Sequence, residues 1–303
     1  VNPDNSPLFI VAGPTAVGKS ELAVAVAERC GGEIVSADAF QIYQGLDILT
    51  AKPSPALRAR VPHHLIGEIP LTQSFDVAQF LSLARARVAA IRQRGRVPII
   101  SGGTGLYLRA LTHGLADLPT ADAALRAQFE AQPTDELCRQ LADLDPAGHA
   151  QIDRQNRRRV IRALEVCLLT GCPFSSFRAE WEAPAVGAHG VVLLRDRAEL
   201  HQRIDLRTDA MFTAGVVEEV RLAGAIGPTA SQTLGLREIR ALIDGATTRE
   251  ACVNTIQNAT RRYAKRQLTW FRREPHLEPV ILTGDNPPLT LIEGLARQAK
   301  PSI

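Results

Sequence analysis

Two apolar rhythms alternate along the first hundred residues. Residues 8–12 (Leu-Phe-Ile-Val-Ala) form an unbroken apolar run of strand length that stops at Gly13, and from Glu21 to Glu28 the apolar positions resume with helical character. After the Cys30-Gly-Gly32 stop, residues 33–38 predict a second short strand that ends in a loop at Asp38. Val77, Phe80, Leu81, Ala84, Val88 and Ile91 recur at helical spacing and predict a helix over residues 74–94, which Gly95 ends. Residues 97–101 then predict a buried strand. Strands alternating with helices predict an α/β fold with a parallel sheet flanked by helices.

The pattern changes from about Asp117 to Gly187, where Leu, Ala, Arg and Glu dominate and strand signals vanish. Residues 190–194 (Gly-Val-Val-Leu-Leu) read as a buried strand returning to the sheet. The expected organisation is therefore a core of residues 1–116 and 188–303, interrupted by an inserted all-helical domain at 117–187. Residues 197–273 are mostly helical, and from Pro275 onward the chain reads as a proline-containing tail with a short apolar run at 280–282.

Gly13-Pro-Thr-Ala-Val-Gly-Lys-Ser20, lying between a predicted strand and a predicted helix, has the spacing of a P-loop. In such a loop the backbone from Gly13 through Pro14, Thr15, Ala16, Val17 and Gly18 to Lys19 and Ser20 cradles phosphate oxygens, Lys19 adds a positive charge and the Ser20 hydroxyl coordinates Mg²⁺. The pattern predicts an α/β fold of P-loop NTPase type holding a phosphate or diphosphate, without saying whether phosphate is transferred, cleaved or gripped. Asp38 falls on the same sheet edge, where open α/β sheets place ligands. A second glycine-rich turn, Gly102-Gly-Thr-Gly-Leu-Tyr107, repeats the strand-to-helix logic and brings Thr104 to that edge. Arg203 and Arg207, one helical turn apart, either clamp a diphosphate or form surface ion pairs with Asp205, Asp209 or Glu199.

Net charge is only +3, but the 35 basic residues are unevenly placed. Around Arg158, Arg159 and Arg162, a helical count puts Val160, Ile161, Leu164, Cys167 and Leu168 on one side and the arginines on the other. A solvated face explains that stripe as well as a ligand does. In residues 260–273, Arg261, Arg262, Lys265, Arg266, Arg272 and Arg273 fall within roughly 140° of arc, with Tyr263, Gln267, Trp270 and Phe271 opposite. Like charges so arranged repel by a few tenths of a kcal/mol per pair, which an anionic partner would offset. Two basic helices imply a ligand larger than a nucleotide, and RNA is the expected partner. No stretch has the length of a membrane span, no secretory signal is visible, and five scattered cysteines suggest neither a disulfide framework nor a zinc site. A reducing, cytoplasmic setting is expected.

The P-loop residues, Ser36-Ala-Asp-Ala-Phe-Gln-Ile-Tyr43, Thr50-Ala-Lys-Pro53, His63-His-Leu65, the Gly102 turn, Arg162-Ala-Leu-Glu-Val166 with Thr170-Gly171, and Arg262-Tyr-Ala-Lys-Arg-Gln-Leu-Thr-Trp270 together resemble the tRNA dimethylallyltransferases of bacterial type, in order along nearly the whole chain. The resemblance implies transfer of a dimethylallyl group from dimethylallyl diphosphate to the exocyclic amine of the adenine next to the anticodon, position 37, in tRNAs reading codons that begin with U. It implies Mg²⁺ as cofactor and a monomer. It places Asp38 as the base, Lys19, Thr15 and Arg203 or Arg207 at the departing diphosphate, and Ala39, Phe40, Gln41 and Thr104 at the adenine. It sets Arg126 and residues 158–162 (Arg158, Arg159, Val160, Ile161, Arg162), with Arg262, Lys265 and Arg266, against tRNA. Where the family carries Ser after the Asp, this chain has Ala39. His63 and His64 match the family pattern and read as satisfied, half-buried side chains. Three rivals share parts of the pattern: a small-molecule P-loop kinase, an enzyme prenylating free adenine nucleotides, and a nonenzymatic P-loop RNA-binding protein.

Overall fold

The computed structural model describes residues 7–181, 187–284 and 287–300. The chain divides into two compact units, one of Val1–Thr112 with Ala185–Ile303 and one of His113–Pro184, so the second unit opens and closes a few residues earlier than 117 and 187.

The first unit begins with β1 (Leu8–Ala12), α1 (Lys19–Cys30), β2 (Gly32–Ser36), α2 (Pro55–Arg60), β3 (His63–His64), α3 (Val77–Gln93), β4 (Val97–Gly102) and α4 (Gly105–His113). The second unit holds α5 (Ala123–Glu130), α6 (Thr134–Leu144), α7 (Pro146–Gln151) and α8 (Arg157–Thr170). The chain then returns with β5 (Ala188–Leu194), α9 (Arg197–Thr213), α10 (Val216–Leu222), α11 (Leu236–Ile243), α12 (Arg249–Phe271), β6 (Leu277–Ile281) and α13 (Leu289–Ala299). All six strands are parallel, in the order β3-β2-β4-β1-β5-β6.

Burial on both faces explains why β1 and β4 carry continuous apolar runs instead of alternating ones. The register pairs Ala12 with Gly102 and Ser36 with Ser101. Three loops, opening at residues 13, 37 and 103, therefore leave the carboxyl edge side by side. Asp76 caps α3 through the Gln79 amide, while Gln79 returns the bond, which fixes that helix start three residues after the predicted one.

The stretch after Pro275 is no tail. β6 pairs with β5, and Pro279 is accommodated because an edge strand bonds on one side only. α13 buries Leu295, Ala296 and Ala299 in the core shared with α1. The histidines are structural: His64 Nε2 lies 2.7 Å from Glu33 Oε2, which also pairs with Arg94, and His63 Nδ1 lies 2.8 Å from the Val61 carbonyl. Among the described residues, no helix is long and apolar enough to cross a membrane.

Candidate active site at the carboxyl edge of the sheet

The P-loop joins β1 to α1 as the sequence predicts. Gly18 caps α1 at φ 104°, a left-handed conformation that costs glycine little. Ala16 holds φ 65°, and Ala51 in the facing loop holds φ 48°, so two alanines sit in strained backbone at one site. The first-turn amides of α1 have no intrahelical acceptor and are available to an anion. One expected donor is not: the Thr15 amide donates to Gln267 Oε1 at 2.9 Å.

α9 lies along the loop, and two of its arginines bond to it. Arg203 Nε donates to the Ala16 carbonyl at 3.0 Å, and Arg207 Nη2 to Thr15 Oγ1 at 2.7 Å. Arg195, ahead of α9, donates to the Val17 carbonyl at 2.8 Å. Asp205, on the same helix, is held by Arg261 from α12. Lys19 Nζ donates to the Pro14 carbonyl at 2.7 Å.

A cavity of about 560 Å³ opens over these groups and is lined by Lys19, Lys52, Arg203 and Arg207 against two carboxylates, Asp38 and Glu21, with Thr15, Ser20, Gln41 and Tyr263 among its polar wall. Burial lowers the Lys19 pKa to about 8 despite the opposing pull of Asp38. Burial likewise lowers Arg207 to about 10, again against Asp38. Two desolvated cations beside free helix amides suit this cavity to an anion. A lobe of about 70 Å³ adjoins it, where Phe40, Leu49, Met211, Leu234 and Ile256 meet Asp38, Thr15, Arg207 and Tyr263.

Asp38 follows β2, and its Oδ1 accepts from the amides of Phe40 at 2.9 Å and Gln41 at 3.2 Å. That turn aims the carboxylate into both the cavity and the lobe. Thr104 accepts from the Ala39 amide at 3.0 Å, tying the second glycine turn to the Asp38 loop. Gln41 gives its amide hydrogens to the carbonyls of Thr50 and Ala51, so it braces the facing loop.

Sequence reasoning missed four residues here. Gln267 and Tyr263 project inward from α12, and Tyr263 meets Thr104; burial, then the Asp38 charge, pushes its phenol above the ordinary range. Glu219 on α10 accepts from the Ile48 and Leu49 amides, each at 2.8 Å, and so holds the loop that carries Leu49 and Thr50. Lys52, buried against the Tyr43 carbonyl and Asp47, lines the cavity. The inward face of α12 was legible as the side opposite the arginines, but nothing local said what it would touch. The second glycine turn also changes meaning. A Cβ on Gly103 would lie 2.3 Å from Gln267 Nε2, and one on Gly105 2.2 Å from Trp270 Cδ2. Those glycines make room for α12.

On the outward face of α12, Arg262, Lys265 and Arg266 are exposed, as are Arg272 and Arg273 just beyond the helix. Arg261 drops out of the set because it pairs with Asp205.

In the second unit the expected contacts separate. Arg158 and Arg159 are exposed. Val160 (0% exposed) and Ile161 (4%) belong to that unit's core with Phe129, Leu137, Leu141 and Leu164, so they cannot meet an external ligand. Leu168 is exposed despite its assignment to the apolar side. Arg126 and Arg162 both bind the fully buried Glu165, Arg126 with two bonds of 3.0 Å and Arg162 with one of 2.6 Å. Burial works to raise the Glu165 pKa, but bonds from Arg126, Arg162 and the Asp122 amide outweigh it and hold the carboxyl below its ordinary value. These two arginines are engaged in the fold of the unit, which neither the resemblance for Arg126 nor the charged stripe for Arg162 revealed.

Residues 41–274 match the IPP transferase family. The chain is 43% identical over 290 residues to a tRNA dimethylallyltransferase of Akkermansia muciniphila, covering 96% of this chain and 98% of that one. It is 48% identical to tRNA dimethylallyltransferase 1 of Citrifermentans bemidjiense, over 88% of this chain and 89% of that one. The crystal structure of the tRNA isopentenylpyrophosphate transferase of Bacillus halodurans superimposes with a TM-score of 0.70 at 35% identity, covering 97% of this chain and 95% of the other. On a match of that extent, carried by a P-loop sheet of the same architecture, the chain belongs to the IPP transferase family.

Proposed function

We propose that the protein transfers a dimethylallyl group from dimethylallyl diphosphate to the exocyclic amine of adenine 37 in tRNA and releases diphosphate. The observation that carries this reading is the pairing of a cation-rich, half-buried cavity with an apolar lobe, the two meeting at Asp38 and Thr15. A diphosphate supplies the charge that Lys19 and Arg207 lack, and the lobe suits a short hydrocarbon. The names of the curated relatives support the same transfer.

The adenine amine is a weak nucleophile because its lone pair is delocalised into the ring. As nitrogen bonds to the allylic carbon and the carbon–oxygen bond breaks, the Asp38 carboxylate takes the amine proton. The turn that holds Asp38 Oδ1 on two amides keeps it aimed throughout. Negative charge gathering on the diphosphate is met by the first-turn amides of α1, Lys19 and Arg207. Ser20 lines the cavity next to Lys19, and its hydroxyl would hold Mg²⁺ there. Among the described residues no cluster of three His, Cys, Asp or Glu is present, which suits an ion held chiefly by the ligand. When bound there, Mg²⁺ would add charge stabilisation to the leaving group.

The exposed row of Arg262, Lys265 and Arg266 supports an RNA partner, with Arg158 and Arg159 as further candidates on the second unit. Phe40 lines the lobe beside Asp38 and Thr104 holds the Ala39 amide, whereas Gln41 keeps its amide on protein carbonyls. A kinase leaves the apolar lobe and the basic row unused. The test is incubation with dimethylallyl diphosphate, Mg²⁺ and either undermodified tRNA or AMP. Prenyl incorporation into tRNA is expected, and incorporation into AMP alone would refute the reading.

A further inference from the structure

We propose that Gln267 is a positioning residue for donor binding, bracing the P-loop against the second glycine turn; this rests on the reading of the P-loop as a diphosphate cradle. Gln267 is 6% exposed and spans two loops that leave different strands. Its Oε1 accepts from the Thr15 amide at 2.9 Å, and its Nε2 donates to the Gly103 carbonyl at 2.9 Å. The partners fix the orientation of the amide, since a backbone N–H needs an acceptor and a carbonyl needs a donor. Glutamine alone among residues of this length offers both from one rigid plane.

Three consequences follow for the loop. The Thr15 amide is turned away from the ligand, so Thr15 faces the cavity with its hydroxyl, which Arg207 holds from the other side. Thr15 is thereby pinned by α9 and α12 together. The amides after it are directed by that pin, because the loop from Thr15 to Gly18 is short and Ala16 is already in left-handed backbone. Gly103 has to remain without a side chain, as its Cβ would collide with the Gln267 amide. Gly103 and Gln267 therefore form one device, and the glycine serves the brace without contacting phosphate.

The variants Gln267→Met and Gln267→Glu test this. Met fills the space and makes neither bond; Glu keeps the acceptor but loses the donor when ionised. Inorganic diphosphate with Mg²⁺ is titrated into each full-length protein by calorimetry, tRNA affinity is measured in parallel, and amide hydrogen exchange is followed in the peptide covering residues 13–18. For Gln267→Met, diphosphate Kd should rise about tenfold and exchange at Thr15 should accelerate at least tenfold, while tRNA Kd stays within twofold because Gln267 is buried. Gln267→Glu should bind diphosphate weakly at pH 8 and recover toward the wild-type value as acidification protonates the carboxyl and restores a donor to Gly103. Folded variants that bind diphosphate within twofold of wild type at pH 8 would overturn the role of Gln267 and leave the proposed function standing. Absence of diphosphate binding by the wild-type protein would overturn both.

Discussion

Replacing Lys19 with Met should make the ligand-free protein more stable while removing its hold on diphosphate. Burial depresses the Lys19 pKa from 10.5 to about 8, so the unfolded chain binds the proton more tightly than the folded one. At about 1.4 kcal/mol per pKa unit, the charged amine costs the folded state about 3 kcal/mol at and below pH 8. The cavity admits solvent, which reduces that figure to about 2 kcal/mol. Losing the bond to the Pro14 carbonyl returns about 1 kcal/mol. The net gain at pH 7 is on the order of 1 kcal/mol, a rise in Tm of about 2–4 °C for a unit of this size. Stability of the wild-type protein rises with pH between about 8 and 10.5, because there the unfolded chain alone stays protonated, and the advantage of the variant disappears by pH 10.5. The assay is a melting series from pH 6 to 10.5, with and without diphosphate and Mg²⁺. Diphosphate should raise the wild-type Tm and leave that of Lys19→Met unchanged. A variant that melts below wild type at pH 7, or that is still protected by diphosphate, refutes the reasoning.

Asp38→Asn keeps the acceptor that Phe40 and Gln41 bind, so diphosphate and tRNA affinities should hold while kcat falls about 10²–10⁴-fold in single-turnover prenyl transfer. The triple change Arg262→Ala, Lys265→Ala and Arg266→Ala should weaken tRNA binding and lower the slope of log K against log salt by about 2, with diphosphate titration unaffected. Glu165→Gln leaves Arg126 and Arg162 without a buried counter-charge and should cost about 3 kcal/mol, read as a lower melting temperature. Because the folded pKa of Glu165 is depressed, that stabilisation is full above the ordinary glutamate value of 4.5 and is lost as pH falls below it, so the variant and wild type should converge in acid. Gly105→Ala places a methyl against the Trp270 ring and should cost about 1–3 kcal/mol in denaturant titration.

What could be read from the sequence was whatever a short window encodes. The P-loop, the Asp38 strand end and the buried strands at 97–101 and 190–194 are local patterns of apolar run and glycine, and each lies where its pattern places it. What Arg203 and Arg207 would reach was not legible, because the same one-turn spacing serves an ion pair or a clamp, and their bonds to the Ala16 carbonyl and to Thr15 depend on the packing of α9 along the loop. Arg126 and Arg162 show the reverse failure: they come from different helices, α5 and α8, and only the packing of the unit brings both onto the buried Glu165. β6 escaped because Pro279 and its exposed neighbours look like loop, and its strand identity comes from β5 alone. The turn at Gly103 and Gly105 was legible as a glycine-rich strand-to-helix turn but its partner α12 was not, since glycine signals close approach without naming what approaches.

The order in which the site is assembled along the chain has a consequence for synthesis. The P-loop emerges among the first twenty residues, yet β1 gains its second neighbour only with β5, the arginines that grip the loop arrive on α9, and Gln267 and the α13 covering of α1 come later still. Contacts so distant in sequence form slowly and late. A nascent chain that has not yet reached α9 and α12 therefore carries the phosphate-loop motif without the side chains that brace it.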